Sequence, residues 1–438
     1  MSTVKRIAKN TGILFVSNII SKFFGFVYTI YMARYLGVEG FGILSFALAF
    51  TGMFGVLADM GLQPLTVREV ARNTNLTGKY LGNITLIKFI LGIITFVLVV
   101  ISINLMNYPA ETVYVVYLIA FYVLINSFNS MFYSIYQGHE RMEFVGIGSI
   151  LNSSLMLLGV FIAMYFGFNV EGFAYIYLIS GIGVLLYNLI ISTWKFVKPK
   201  IEIDLKFWKE LLKEAWPFAL IGFFVIIYFR IDTVMLGMMK TSDVVGLYSA
   251  QYRIIDGLVG LIPSVLFTVF YPVMSKNINS REKLKKIFLK SFQISLIIGL
   301  LISIFVSLFA KEIIIILYGQ EYVGSVLAFK ILIWAFFIIC ISTMTSGLLN
   351  SMNKQRIVAF GTGVGALINI LLNLLLIPKY SLNGAALATV ITEVFGFLIY
   401  FYFTGKLLKL RKKDLRLLLK FPNKNNINDI FIKIFKKR

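Results

Sequence analysis

NTGILFVSNIISKFFGFVYTIYMARYLGVEGFGILSFALAF, residues 10–50, decides the class of this protein. It holds two long apolar runs, read as spans at 11–33 and 40–61, with only a short polar interruption around Arg34–Gly40 between them. Each run matches the ~20 residues a helix needs to cross about 30 Å of hydrocarbon. The first run is not uniformly apolar. Asn18, Ser21, Lys22, Gly25 and Thr29 recur at helical spacing, so one helix face is polar and carries a cation. A charge inside a span is costly, so it points to a cavity or a partner.

The pattern continues along the chain. Further spans are expected at 80–105, 112–135, 143–166, 170–193, 214–238, 246–274, 286–309, 325–349, 356–377 and 382–403. With 59% hydrophobic and 14% charged residues among 438, the composition is far from the half and the quarter usual in soluble domains. Backbone groups inside hydrocarbon have no partner but each other, so the spans must be helices. The expected fold is an all-α integral membrane protein with about twelve transmembrane helices in two six-helix lobes. The lobes are read at 1–193 and 214–404, joined by a cytoplasmic linker at 194–213 and followed by a basic tail at 405–438.

The net charge of +22 would suggest nucleic acid in a soluble chain, but its placement excludes that here. With the N-terminus inside, 33 of the 42 Lys and Arg fall on cytoplasmic segments. Only Arg34, Lys240, Lys311 and Lys379 fall outside. That bias predicts both termini inside and an even number of spans in the cell membrane. Membrane lipids are the partner the excess charge implies. DLKFWKELLKEAWPF at 204–218 is amphipathic and is expected to lie on the cytoplasmic face. The tail carries 12 basic and 2 acidic residues, which reads either as a charge anchor or as a recruitment surface.

The composition also excludes several chemistries. One cysteine, Cys340, and one histidine, His139, leave no disulfide framework, zinc site or histidine-based triad. His139 reads as a loop residue. No metal and no cofactor is expected, and no GxxxxGK[ST] loop is present for ATP hydrolysis. The first apolar run is too long for a cleavable signal and lacks a small-residue cleavage site after it. The sequons at Asn75 and Asn83 fall on the expected cytoplasmic side, so glycosylation is not expected. Gly361, Gly363 and Gly365 lie in a span and read as close helix packing.

An internal repeat bears on mechanism. GFGILSFALAF (40–50) parallels VGLYSAQYRI (245–254), aligning Gly42 with Gly246. Pro64 in LQPLTVREVARN parallels Pro272 in FYPVMSKNINS, and Gly172 in NVEGFAYIYL parallels Gly384 in LNGAALATVI. Six spans separate the copies, so the halves are parallel repeats and a substrate path is expected between them.

The remaining charges in spans are the candidate site. Lys22, Arg230 and Arg253 are read as lining a cavity and binding an anionic headgroup, with Asn18, Ser21 and Thr29 as a polar stripe beside Lys22. Asp232, Asp256 and Glu393 are read either as ion-coupling carboxylates or as structural partners of those cations. Three cations against three acids leave both readings open. Asp59 and Lys88 read as a pair, and Lys330 as snorkelling to an outer end.

Residues 10–50 resemble the first two helices of polysaccharide-biosynthesis flippases, which include O-antigen and related lipid-linked oligosaccharide translocases. DMGLQPLTVREVAR (59–72), WPFALIGFFVIIYFRIDTVMLG (216–237), VGLYSAQYRIIDG (245–257) and LLIPKYSLNGAALATVITEV (375–394) are similar to later segments of that family. The resemblance spans about residues 8–405 and implies the superfamily of multidrug, oligosaccharidyl-lipid and polysaccharide exporters. It implies two six-helix lobes that alternate access, and basic residues on helices one, seven and eight that meet a lipid diphosphate; Lys22, Arg230 and Arg253 stand on those helices here.

The expected function is therefore a flippase for a polyprenyl-(di)phosphate-linked oligosaccharide, with glycosyltransferases or a polymerase of the same pathway as candidate partners. It is expected not to be an enzyme. A drug/cation antiporter on the same fold is the alternative and would need an acidic cavity. A membrane glycosyltransferase would need large catalytic loops, and a non-transporting scaffold would move no substrate.

Overall fold

The computed structural model describes residues 3–197, 203–411 and 414, so most of the basic tail read at 405–438 lies outside the described residues. Among the described residues there is no β-strand. The first half folds as α1 (Thr3–Asp59), α2 (Leu62–Arg72), α3 (Thr77–Leu105), α4 (Ala110–Gly138), α5 (Met142–Tyr165) and α6 (Val170–Ile191). The second half folds as α7 (Leu205–Met239), α8 (Ser242–Lys276), α9 (Arg281–Leu308), α10 (Ala310–Tyr318), α11 (Val326–Ser351) and α12 (Gln355–Leu408). Ten helices among the described residues are long and apolar enough to cross a membrane. Two of the ten contain a break, at Gly37 (φ 67°) in α1 and at Ser381 (φ 53°) in α12. Those breaks sit where the sequence separates spans one from two and eleven from twelve. The protein is an all-α integral membrane protein.

Local chemistry sets the helix ends. The Asn169 side chain accepts from the Gly172 N–H at 3.2 Å, and Asp204 accepts from the Phe207 N–H at 3.0 Å, satisfying first-turn donors of α6 and α7. Asp204 begins α7 well before the span expected at 214. Residues 205–213, read from sequence as part of a separate linker, are therefore the first turns of a continuous 35-residue helix. They do not stand apart from the protein. Phe207, Trp208 and Leu212 pack on a core formed by Leu62, Leu65, Tyr80, Ile84 and Ile135, and Trp208 Nε1 donates to Asn83 Oδ1 at 2.8 Å. This contact uses the Asn83 side chain internally.

The chain divides into two compact units. The first comprises residues 1–257, 310–329 and 366–389. In it, the two glycines that the repeat aligns meet face to face. A Cβ on Gly42 would lie 1.9 Å from the Ser242 carbonyl oxygen, and one on Gly246 would lie 2.0 Å from that of Val38. Reciprocal contact between equivalent glycines is what an approximate two-fold relation between repeats produces, and only glycine permits the approach. Tyr322 OH donates toward the carbonyls of Ala33 and Gly37, at 2.8 and 2.9 Å, beside the α1 break.

The second unit comprises residues 258–309, 330–365 and 390–438. Its core joins Phe288, Phe292, Met344, Leu348 and Leu408, and Cys340 is buried against Gly299. Gly361 sits under the Tyr400 ring, as close packing requires, whereas Gly363 faces open space.

Candidate functional site

The polar stripe of α1 lines a cavity of 450 Å³. Asn18, Ser21, Lys22, Gly25 and Thr29 form one wall. Asn126 and Tyr133 of α4, Ser149, Asn152 and Ser153 of α5, and Arg253 with Asp256 of α8 complete it. A second cavity of 260 Å³ is lined by Tyr122, Tyr177, Arg230, Thr233, Ser249 and Tyr252. Tyr28 and Arg253 line both, so they stand where the two meet. All of these residues belong to the first unit.

The cations and acids separate. Lys22, Arg230 and Arg253 all reach a cavity wall, but of the three candidate acids only Asp256 does. Asp256 Oδ2 lies 3.5 Å from Arg230 Nη2, with both side chains about a third exposed (33% and 35%). Such a pair is weak. Arg253 makes no hydrogen bond or ion pair among the described residues, although a guanidinium offers five donors. Several wall groups are similarly unspent: Ser21 Oγ, Asn152 Oδ1 and Ser249 Oγ are buried without a hydrogen-bond partner among the described residues. Buried polar atoms are ordinarily paired, so such a wall suits a polar ligand.

Asp232 sits elsewhere. It is 3% exposed and accepts from Asn373 Nδ2 at 2.6 Å, Thr389 Oγ1 at 2.6 Å and Tyr248 OH at 2.8 Å. No cation among the described residues pairs with it, so the structural reading of Asp232 as the partner of an in-span arginine does not hold. Glu393 is buried in the second unit.

Lys88 and Asp59 do pair, Nζ to Oδ1 at 2.6 Å, with Ser127 O and Ser130 Oγ completing the ammonium at 2.8 and 3.3 Å. His139 is more than a loop residue. It caps the end of α4, its Nε2 lies 2.8 Å from Thr77 Oγ1 and its ring packs on Phe196. Sequence reasoning missed Asn126, Ser149 and Asn152, whose signal is the polar pairs in LINSFNS (124–130) and GSILNSS (148–154). The same windows hold Asn129, which donates to Gly181 O and accepts from Asn188, so only geometry tells wall from core.

Residues 7–278 match the family described as polysaccharide biosynthesis protein, a stretch that contains both cavities. The chain belongs to that family. Residues 217–375 also match the MatE family. The probable low-salt glycan biosynthesis flippase Agl15 of Haloferax volcanii is 20% identical over 92% of this chain and 85% of its own. The capsular polysaccharide biosynthesis protein CapF of Staphylococcus aureus is 25% identical over 90% of this chain and 98% of its own. Among solved structures, lipid II flippase MurJ in an inward closed conformation superposes with a TM-score of 0.75 at 16% identity, covering 97% of this chain and 93% of that one. That likeness establishes the family's fold for this chain.

Proposed function

We propose that this protein moves a polyprenyl-(di)phosphate-linked oligosaccharide from the cytoplasmic to the outer leaflet of the cell membrane. The observation that carries the reading is the charge of the cavities: three cations and one acid on walls that also carry hydroxyls, amides and tyrosines. Arg253 and Lys22 supply charge-assisted donors for phosphate oxygens. Asn126, Ser149 and Asn152 offer donors and acceptors that suit sugar hydroxyls, and Tyr133 adds an amphipathic face. The names of the relatives, a glycan flippase and a capsular polysaccharide protein, support the same substrate class.

With the basic segments inside, the glycan enters from the cytoplasm while its lipid tail stays in the bilayer. Asp232, nested among neutral donors, is the carboxylate best placed to couple an ion to transport. Unchanged transport in neutral variants of Asp232, Asp256 and Glu393 together would remove that role. The MatE match favours drug/cation antiport as a second reading, but a cationic wall repels an organic cation.

The test is reconstitution in proteoliposomes with a fluorescent lipid-diphosphate oligosaccharide, following its arrival in the opposite leaflet. Wild type delivers it, and Lys22→Ala loses delivery while remaining folded. Wild type that delivers none, yet expels an organic cation, would replace the flippase by the antiporter.

A further inference from the structure

A third cavity, of 350 Å³, lies in the second unit, between the start of α9 and the end of α12. Arg281, Lys285, Lys286, Lys409 and Arg411 line it against two acids, Glu282 and Asp414. The frame is fixed from inside. Lys285 Nζ lies 2.5 Å from Asp414 Oδ2, which also accepts the Arg411 N–H at 2.7 Å. Arg281 Nη2 donates to Leu407 O at 2.7 Å, tying α9 to the last turn of α12. Lys409 (φ 48°) ends α12 in the left-handed region and turns the chain back toward α9.

One acid is thus consumed by the frame, and the exposed Lys286, Lys409 and Arg411 remain around a cavity that Leu289 and Leu408 floor. A charge bias across a bilayer asks only for cations at this end of the spans. It does not ask that they surround a pocket of ligand size. We propose that this pocket binds the phosphate of an anionic lipid headgroup. The cations meet the phosphate oxygens, with no polar group of the leucine floor competing for them. The pocket shares no lining residue with the two cavities of the first unit and does not depend on the function proposed for them.

The test is lipid retention by the purified full-length protein in native mass spectrometry, with phosphatidylglycerol, phosphatidylcholine and inorganic phosphate as probes. Lys286→Gln with Lys409→Gln is compared with a control pair of exposed lysines elsewhere, Lys206→Gln with Lys213→Gln. Retention of phosphatidylglycerol above phosphatidylcholine is expected, weakened at least about tenfold in the pocket variant and unchanged in the control. Millimolar inorganic phosphate should leave the lipid in place. Equal retention of the two lipids, or full retention by a pocket variant that melts like wild type, overturns the proposal. Displacement of the lipid by inorganic phosphate alone also overturns it, in favour of a free-phosphate site.

Discussion

Lys88 and Arg253 are both cations in membrane spans of the same unit, yet the structure treats them oppositely. Lys88 is 0% exposed, and its three ammonium protons meet Asp59, Ser127 and Ser130. Arg253 stands where two cavities meet and spends none of its five donors on the described protein. A buried charge is tolerable once paired and hydrogen-bonded, so Lys88 has a structural explanation in full. Arg253 has only the through-space attraction of Asp256 on the same wall, and the cost of keeping it in a membrane span is better understood if it meets a substrate.

The contrast breaks first at Lys88. Lys88→Met removes the ammonium that pairs with Asp59 and leaves that carboxylate only the Gln63 N–H at 3.3 Å. A loss of about 3–5 kcal/mol is expected, as for other buried pairs broken on one side. A melting temperature in detergent close to wild type would show that the pair is not structural. Arg253→Ala should do the reverse. Melting stays near wild type while delivery of the lipid-linked glycan falls roughly 10–100-fold, the worth of a charged hydrogen bond or two. A variant that unfolds would place Arg253 with Lys88.

Arg230 sharpens the comparison, because it lies between the two cases. Its contact with Asp256 is long and a third exposed, so a double-mutant cycle with Arg230→Gln and Asp256→Asn should give a coupling of at most about 1 kcal/mol. A coupling as large as that expected for Lys88 would move Arg230 to the structural side and leave Lys22 and Arg253 to meet the phosphate.

This division shows what the sequence discloses. The long apolar helices and the polar stripe on α1 were legible because they follow from periodicity within a few residues. Gly42 and Gly246 were legible as a pair because the repeat aligned them. Pairing across the fold was not. Three cations and three acids gave no way to tell that Asp256 meets Arg230 while Asp232 meets Asn373, Thr389 and Tyr248. Asn126 and Asn129 lie three residues apart in one window, yet one faces the cavity and the other holds Asn188. The early start of α7 was missed because its amphipathic face reads alike for a membrane surface and for the protein core it covers.

The smallest expected effect concerns His139, where no substrate is at stake. Burial, and then the neighbouring Arg141, hold its imidazole pKa below the ordinary value of about 6.5. The folded state therefore binds its proton less readily than the unfolded chain. The stability that follows is fully present above pH ~6.5 and is lost as pH falls from there through the lowered folded value. Neutral imidazole also keeps the contact to Thr77 and the packing on Phe196. Melting should therefore drift downward below pH 6.5 in wild type, by less than any of the effects above. His139→Gln should flatten that drift while leaving Lys88- and Arg253-dependent behaviour untouched. A drift that persists unchanged in the variant would assign the acid sensitivity to a carboxylate instead.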